Sequence, residues 1–329
     1  MRAKCEQLFV CPACNNAGLS VRRKEDAAYL LCNECETKVP VVNGIPRFVP
    51  SNNYANSFGF QWNIHRNTQL DSRTGLSLSR DRLFGVTCWP DNLEGEVILE
   101  AGSGAGRFTE VLLSTGAEVV SFDYSAAVEA NMLNNGRYQN LCLFQGDIYQ
   151  IPLTKASFDK VVCLGVLQHT PDPAAAFASL ARYVKPGGML VIDVYRNNLA
   201  SLLHWKYVLR PLTKRMNQQA LYRIIENTVP SLVPLSAFLR RTLGRAGMRL
   251  IPILQFEHWG LSPAANREWA ILDTFDMYSP AHDHPQSIRT VKRWFIKEGF
   301  EQIDVRPGPN GVVGRARKPP IVKERGSSL

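Results

Sequence analysis

Two residue spacings in the 329-residue chain carry chemistry of their own. Residues 97–110, VILEAGSGAGRFTE, put a carboxylate, Glu100, ahead of Gly102, Ser103, Gly104 and Gly106. Closely set glycines let a backbone approach a ligand and turn from a strand into a helix. A dinucleotide loop reads G-x-G-x-x-G. Here the third glycine comes one position early, and Arg107 stands in its place. A carboxylate at the strand end would repel a pyrophosphate, but it can accept hydrogen bonds from an ammonium group. The second spacing is a pair of Cys-x-x-Cys knuckles, CPAC at 11–14 and CNEC at 32–35, seventeen residues apart. This is the spacing of a four-thiolate zinc site. Cys11, Cys14, Cys32 and Cys35 would close a tetrahedral shell with no open position, so the Zn2+ is expected to be structural. Cys5 lies outside the pattern.

S-adenosylmethionine (SAM) carries an ammonium and no phosphate. The E-x-G-x-G-x-G pattern resembles motif I of class I SAM-dependent methyltransferases. The order of later motifs resembles the methyltransferase-11, or ubiquinone-type, branch of that family over roughly residues 96–195 and again from 286. The resemblance implies a SAM site built from the glycine loop and from residues at later strand ends. AEVVSFDYS ends in Asp123, placed to take both ribose hydroxyls, with Tyr124 against the adenine. LCLFQGDIYQIPL ends in Asp147, suited to the adenine amino group, followed by Ile148. FDKVVCLGVLQHTPDP offers the carbonyls of Leu164 and Gly165 to the ammonium. Simpler roles stand beside these: Asp123 as a helix cap, Asp147 as a turn residue. Asp172 reads as an N-cap before Pro173, and Cys142 and Cys163 as core residues.

The elements that would hold these groups are short, nearly all-apolar runs alternating with helical patterns, as in a parallel sheet covered on both faces. The expected fold is α/β: a doubly wound, mostly parallel seven-stranded sheet, Rossmann-like, with an N-terminal zinc ribbon and a helical insertion. SIRTVKRWFIKEGFEQIDVRP supplies a helix and the sixth strand, and NGVVGRARK the seventh. The expected divisions are a ribbon at 1–50, a partly helical cover at 51–95, the SAM-binding core at 96–195, a helical substrate-recognition insertion at 196–285, a completing helix and strands at 286–318, and a flexible tail at 319–329. The ribbon continues into KVPVVNGIPRFVP, with a turn at Asn43-Gly44. It resembles Trm112-like zinc ribbons, modules that partner methyltransferases, and is expected to have a core separate from the sheet.

Composition sets further bounds. The hydrophobic fraction of 45% suits a globular core. No run reaches the roughly 20 apolar residues of a membrane span, and the start lacks a signal-peptide pattern. A soluble, cytoplasmic protein without membrane insertion is therefore expected. Net charge is +9, which favours anionic partners.

Methyl transfer from a sulfonium needs alignment first, and a base only where the acceptor must lose a proton. His169 is the first candidate base. Tyr278 is another, with Tyr195, Asp276 and His282 behind it. Phe60, Gln61 and Trp62 are candidates for facing the cofactor or the acceptor. LDTFDMYSPAHDHPQS is expected to line the substrate pocket as a loop, with Asp283 or Ser287 capping the next helix. The favoured reading is a SAM-dependent methyltransferase acting on a small molecule: a metabolite, a lipid or quinone-like ring, or a sugar. The alternatives are an RNA methyltransferase with a ribbon for RNA recognition, and a non-catalytic SAM-fold partner protein. The ribosomal-RNA guanine methyltransferases also set a zinc module first, but typically have His where Cys35 stands. The NPPY-type motif of many base N-methylating enzymes is absent here; the fourth strand gives LGVLQH.

Overall fold

The computed structural model describes residues 7–24, 27–50, 53–197 and 205–320. Cys5 and most of the expected tail, residues 321–329, lie outside them. The ribbon is a four-stranded antiparallel sheet, β1 (Leu19–Lys24), β2 (Ala27–Cys32), β3 (Lys38–Val42) and β4 (Ile45–Pro46), in sequential order. Asn43 and Gly44 both take positive φ, 53° and 78°, the requirement of the tight turn that joins β3 to β4.

The main sheet contains β5 (Val97–Ala101), β6 (Glu118–Asp123), β7 (Leu141–Gln145), β8 (Phe158–Leu164), β9 (Val184–Val194), β10 (Glu301–Gly308) and β11 (Gly311–Arg317). Their order is β10-β11-β9-β8-β5-β6-β7. Five strands pair in parallel, and β11 runs antiparallel to both neighbours. The chain leaves β5 towards β6 on one side and later returns to β8 on the other. The crevice above β5 is therefore the switch point where open α/β sheets bind ligands.

Alternate residues of each strand enter opposite layers. Leu99, Val120, Val161 and Ile192 face one core, and Ile98, Val119, Val162 and Val191 the other. Strands buried on both faces must read as apolar runs. The ribbon does not keep a separate core. Phe9, Leu30, Cys32 and Val39 belong to the same buried cluster as Leu99 and Phe144. The Phe9 ring lies 5.2 Å from Phe48 and 5.3 Å from Phe144.

Helices α1 (Asn56–Ile64), α2 (Asp71–Thr74) and α3 (Leu78–Thr87) precede β5. α4 (Arg107–Ser114), α5 (Val128–Asn135) and α6 (Pro173–Ala181) connect the parallel strands. α7 (Trp205–Thr213), α8 (Gln218–Met248) and α9 (Pro263–Tyr278) form the insertion, and α10 (Ile288–Lys297) leads into β10. Asp172 caps α6, its Oδ1 accepting from the Ala174 and Ala175 amides at 2.9 and 3.1 Å. Ser287 caps α10, accepting from the Thr290 amide at 3.0 Å. Leu221, Ile225 and Phe275 pack a third core between α8 and α9, and Phe60 of α1 joins it.

Candidate active site

β5 ends at Ala101, and the loop to α4 turns on Gly102, Gly104 and Gly106, all at positive φ. A Cβ on Gly102 would collide with the Val166 side chain. One on Gly104 would stand 3.3 Å from the Trp62 ring, which α1 lays over the loop. Opposite, Asp123 closes β6. Its Oδ2 accepts from the Gly104 amide at 2.9 Å, and its Oδ1 from the Ser125 amide and hydroxyl at 2.8 and 2.7 Å. Burial raises the pKa of Asp123 while these donors oppose the shift. A cavity of about 740 Å³ starts here. Gly102, Ser103, Gly104, Asp123, Tyr124, Ile148, Leu164 and Gly165 all line it.

Four expected residues stand elsewhere, each for a visible reason. Glu100 is buried behind the loop, its Oε2 accepting from the Thr109 and Ser121 hydroxyls at 2.5 and 2.7 Å. Burial pushes its pKa up to about 7 against those hydroxyls. Gly106 does not line the cavity; it is packed so closely on Asn131 and Asn135 of α5 that a Cβ has no room. The Asp147 side chain turns back on its own chain, accepting from the Tyr149 amide at 2.9 Å, and only its neighbour Ile148 reaches the cavity. Tyr278 points into the insertion core and donates to the Pro252 carbonyl at 2.9 Å, off the cavity.

His169 does line the cavity. Its Nδ1 lies 3.1 Å from the His282 carbonyl, and its ring packs against Phe58 and Tyr195 at 5.1 and 5.3 Å. Burial pushes its pKa below 6.5, outweighing nearby Asp276. Tyr195, also in the wall, donates to Asp276 Oδ2 at 3.3 Å, while Gln61 donates to Oδ1 at 2.9 Å. Burial and Asp276 raise the phenol well above 10, so Tyr195 stays protonated. Of the three cover residues singled out, only Trp62 reaches the cavity: Gln61 is spent on Asp276, and Phe60 on Tyr222 and Phe275.

The expected pocket loop is helix up to Tyr278, so Asp273 and Asp276 enter the cavity from α9. Asp283 caps nothing and instead pairs with Lys206 at 2.8 Å and Arg210 at 3.1 Å. A charged wall of the cavity has almost no signature in the sequence. Gln69 accepts from Arg107 Nη1 at 2.5 Å and donates to Asp273 Oδ1 at 3.0 Å. Burial brings Arg107 down to about 9 and Asp273 up to about 7. Arg82 donates to buried Asp193 at 2.7 Å. The one signal in the sequence was Arg107 at a position where a dinucleotide loop has glycine.

The second cluster joins Cys11, Cys14, Cys32 and Cys35. Their four Sγ atoms all lie within 4.8 Å of one another, Cys11–Cys35 at 3.5 Å and Cys14–Cys32 at 3.6 Å. The two knuckles have the same backbone plan. In one, Cys11 N bonds Asn16 O and Asn15 N bonds Cys11 O; in the other, Cys32 N bonds Thr37 O and Glu36 N bonds Cys32 O. Asn15 and Glu36 take matching positive φ, 60° and 57°.

A seven-stranded sheet of this order, with a glycine loop leaving its central strand towards an acid at the end of the next, is a class I methyltransferase fold. Residues 99–192 match the Methyltransf_11 family model, a methyltransferase domain. The ubiquinone biosynthesis O-methyltransferase of Alkalilimnicola ehrlichii is 35% identical over 133 residues, 37% of this chain and 52% of that protein. The demethylmenaquinone methyltransferase of Corynebacterium kroppenstedtii is 32% identical over 125 residues, 37% of this chain and 53% of that one. The chain thus spans about half the length of the curated relatives it matches. A solved complex of the Haloferax volcanii Trm112 methyltransferase activator with a methyltransferase aligns at 13% identity and a TM-score of 0.47, over 80% of this chain and 98% of that one.

Proposed function

We propose that this protein transfers a methyl group from SAM to a small, largely apolar acceptor of the phenolic or quinone-like kind. The observation that carries this reading is the single cavity that runs from the glycine loop to the aromatic side chains Phe256, Trp259 and Trp269 of the insertion. Its volume of about 740 Å³ lies in the upper range of ligand pockets, wide enough for a cofactor and an acceptor together. The names of the matched relatives support the quinone-like class.

The residues present fit SAM. The loop allows close backbone approach, Asp123 lines the cavity beside it and would take the ribose, Ser103 keeps a buried hydroxyl without a partner among the described residues, and Ile148 gives an apolar wall. Gly102, Ser103, Gly104, Asp123, Tyr124, Ile148, Leu164 and Gly165 would hold it. Gly106, Glu100 and Asp147 would shape that surface from behind. When bound, SAM supplies a methyl group already activated on a sulfonium.

The chain's own work is then alignment, exclusion of water and one proton. Trp62 and Phe58 cover the reacting space. His169 stays neutral because its environment is dry, and with Nδ1–H donated to the His282 carbonyl, Nε2 is the nitrogen that accepts the hydroxyl proton of the acceptor. Tyr195, kept protonated by Asp276, remains a donor for orienting the acceptor.

The cysteine cluster would hold one structural zinc. A tetrahedron with Zn–S bonds of about 2.3 Å has edges of about 3.8 Å, close to the sulfur separations present. Incubation of the protein and radiolabelled SAM with an organic extract of cells and, separately, with undermethylated RNA tests the function. Label in an extractable small molecule is the expected result.

A further inference from the structure

Helix α7 is built inside out. Its charged residues face the protein: Lys206 and Arg210 both pair with Asp283, and Arg210 Nη2 donates to the Pro280 carbonyl at 2.5 Å. Three of its apolar residues face outward, Trp205, Val208 and Leu212, exposed to 37%, 63% and 67%, while Leu209 packs against the insertion core. The spacing i, i+3, i+7 puts these three on one stripe. A helix of a water-soluble surface has the opposite arrangement.

The stripe continues onto neighbouring elements. The Trp205 indole donates to the Arg249 carbonyl at 3.0 Å, which brings exposed Leu250 alongside. Further along α8, Leu235 and Phe238 are exposed, and the Arg241–Glu257 ion pair ties this helix to the turn that carries exposed Trp259. Nine of the thirteen large apolar side chains exposed among the described residues fall between 205 and 259. Exposed apolar side chains gathered in one segment in this way mark an interaction face.

Charge selects the partner. Residues 205–260 hold nine Lys and Arg against two Glu, most of the chain's net charge of +9. Lys214, Arg215 and Arg249 are exposed beside the stripe. Apolar side chains flanked by cations match the boundary between the headgroups and acyl chains of an anionic membrane. RNA would satisfy the cations and leave Leu212 and Phe238 in water. A second copy, joined face to face, would set these cations against their own kind.

We propose that this face, α7 with the adjoining parts of α8, docks the protein on an anionic phospholipid bilayer. Tyr207, beside the stripe on α7, and Trp259 also line the active-site cavity, so its rim meets the docking surface. An apolar acceptor dissolved in the bilayer would then enter the cavity without crossing water. That last step rests on the methyltransferase reading; the docking does not.

Flotation of the whole protein with vesicles tests it, comparing phosphatidylcholine alone with a mixture containing about one third phosphatidylglycerol. Binding is expected to be at least about tenfold stronger with the anionic lipid and to weaken as salt rises. Leu212→Asp with Val208→Asp, and separately Lys214→Glu with Arg215→Glu, should each lose about tenfold or more in vesicle binding. S-adenosylhomocysteine affinity, read by calorimetry on the same samples, should not change; its retention shows that a variant is folded, and its absence in wild type would count against the catalytic reading alone. No preference for the anionic vesicles, equal binding by both folded variants, stronger capture of an RNA oligonucleotide than of vesicles, or a wild-type dimer that Leu212→Asp splits would each overturn the docking proposal.

Discussion

The Nδ1 of His169 lies 3.1 Å from the carbonyl oxygen of His282. A carbonyl only accepts, so Nδ1 carries the hydrogen and, in the neutral ring, Nε2 keeps the lone pair. Burial holds the pKa below 6.5, so the basic form persists into mildly acidic solution. His169→Ala should lower kcat by about 10² to 10⁴ while leaving S-adenosylhomocysteine affinity unchanged. The wild-type kcat should stay level down to about pH 6.5 and fall only below it. Linkage has the same sign. The native site binds fewer protons than the unfolded chain, so its stability contribution is lost as pH falls through 6.5 towards the native value. A kcat that is unchanged in the variant removes His169 from the reaction.

The cofactor prediction follows from Asp123, which closes the loop on Gly104. Asp123→Ala should weaken S-adenosylhomocysteine by about 1.5–3 kcal/mol, the usual worth of hydrogen bonds to a charged group. Gly104→Val should abolish binding, because Gly104 sits at φ 52° with Trp62 above it. NAD should show no comparable affinity. Calorimetry on the two variants checks all three statements, and full affinity in both would place the cofactor elsewhere.

Much of this site could be read from the sequence because it is local. The glycine loop, Asp123, Ile148 and Gly165 each follow directly from a strand end, and an apolar run that stops at a polar residue marks such an end. What escaped was set by contacts distant in sequence. Gln69 bonds Arg107 and also Asp273, 204 residues further along the chain than itself, and no periodicity records that. Tyr278 and Asp276 are two positions apart on α9, yet one faces the insertion core and the other the cavity. The rotation of that helix decides which, and α8 and α1 set the rotation through Phe275 and Phe60. Its position in sequence puts Glu100 beside the ligand, but the Thr109 and Ser121 hydroxyls that hold it behind the loop leave no mark in the local pattern.

The ribbon shares its core with the main sheet. Cys32→Ser should lower the melting temperature of the whole protein, since Cys32, Phe9 and Phe144 belong to one cluster and losing the metal would loosen that contact. Metal analysis should give about one zinc per chain in the wild type, and the cobalt-substituted form should show thiolate absorption. Less than about half an equivalent of zinc, with no cobalt–thiolate band, would refute the four-cysteine site.

Glu100 offers a pH test of the loop's foundation. Burial lifts its pKa from 4.5 to about 7, so between those values the native state keeps a proton that the unfolded chain releases. Stability from this site must therefore decline as pH rises from 4.5 to 7 and stay low above it. Glu100→Gln copies the protonated form and should remove that decline. Denaturant unfolding of the two proteins should give a difference in favour of Gln that grows from pH 5 to about pH 7 and then levels off, on the order of 1 kcal/mol per pH unit over the titrating range. A constant difference would mean that Glu100 is ionised throughout.

The acceptor class is decided by the side of the cavity that the insertion lines. Trp259 reaches the cavity from the insertion, so Trp259→Ala should raise the KM for the acceptor and leave S-adenosylhomocysteine affinity unchanged. If the acceptor were RNA, affinity would depend on phosphate contacts and fall with salt, by a log–log slope of about −0.7 per contact for single strands. Weak RNA binding that vanishes by about 0.2 M salt, with no stoichiometric labelling of any one RNA, is expected instead. Radiolabelled SAM, incubated in parallel with undermethylated ribosomal and transfer RNA and with an organic extract of cells, separates the two. Stoichiometric label in a single RNA species would replace the small-molecule reading. Label in the extract, lost in His169→Ala and restored for Trp259→Ala at high acceptor concentration, would tie the chemistry to His169 and acceptor binding to the aromatic wall, and the mass of the labelled product would identify the acceptor.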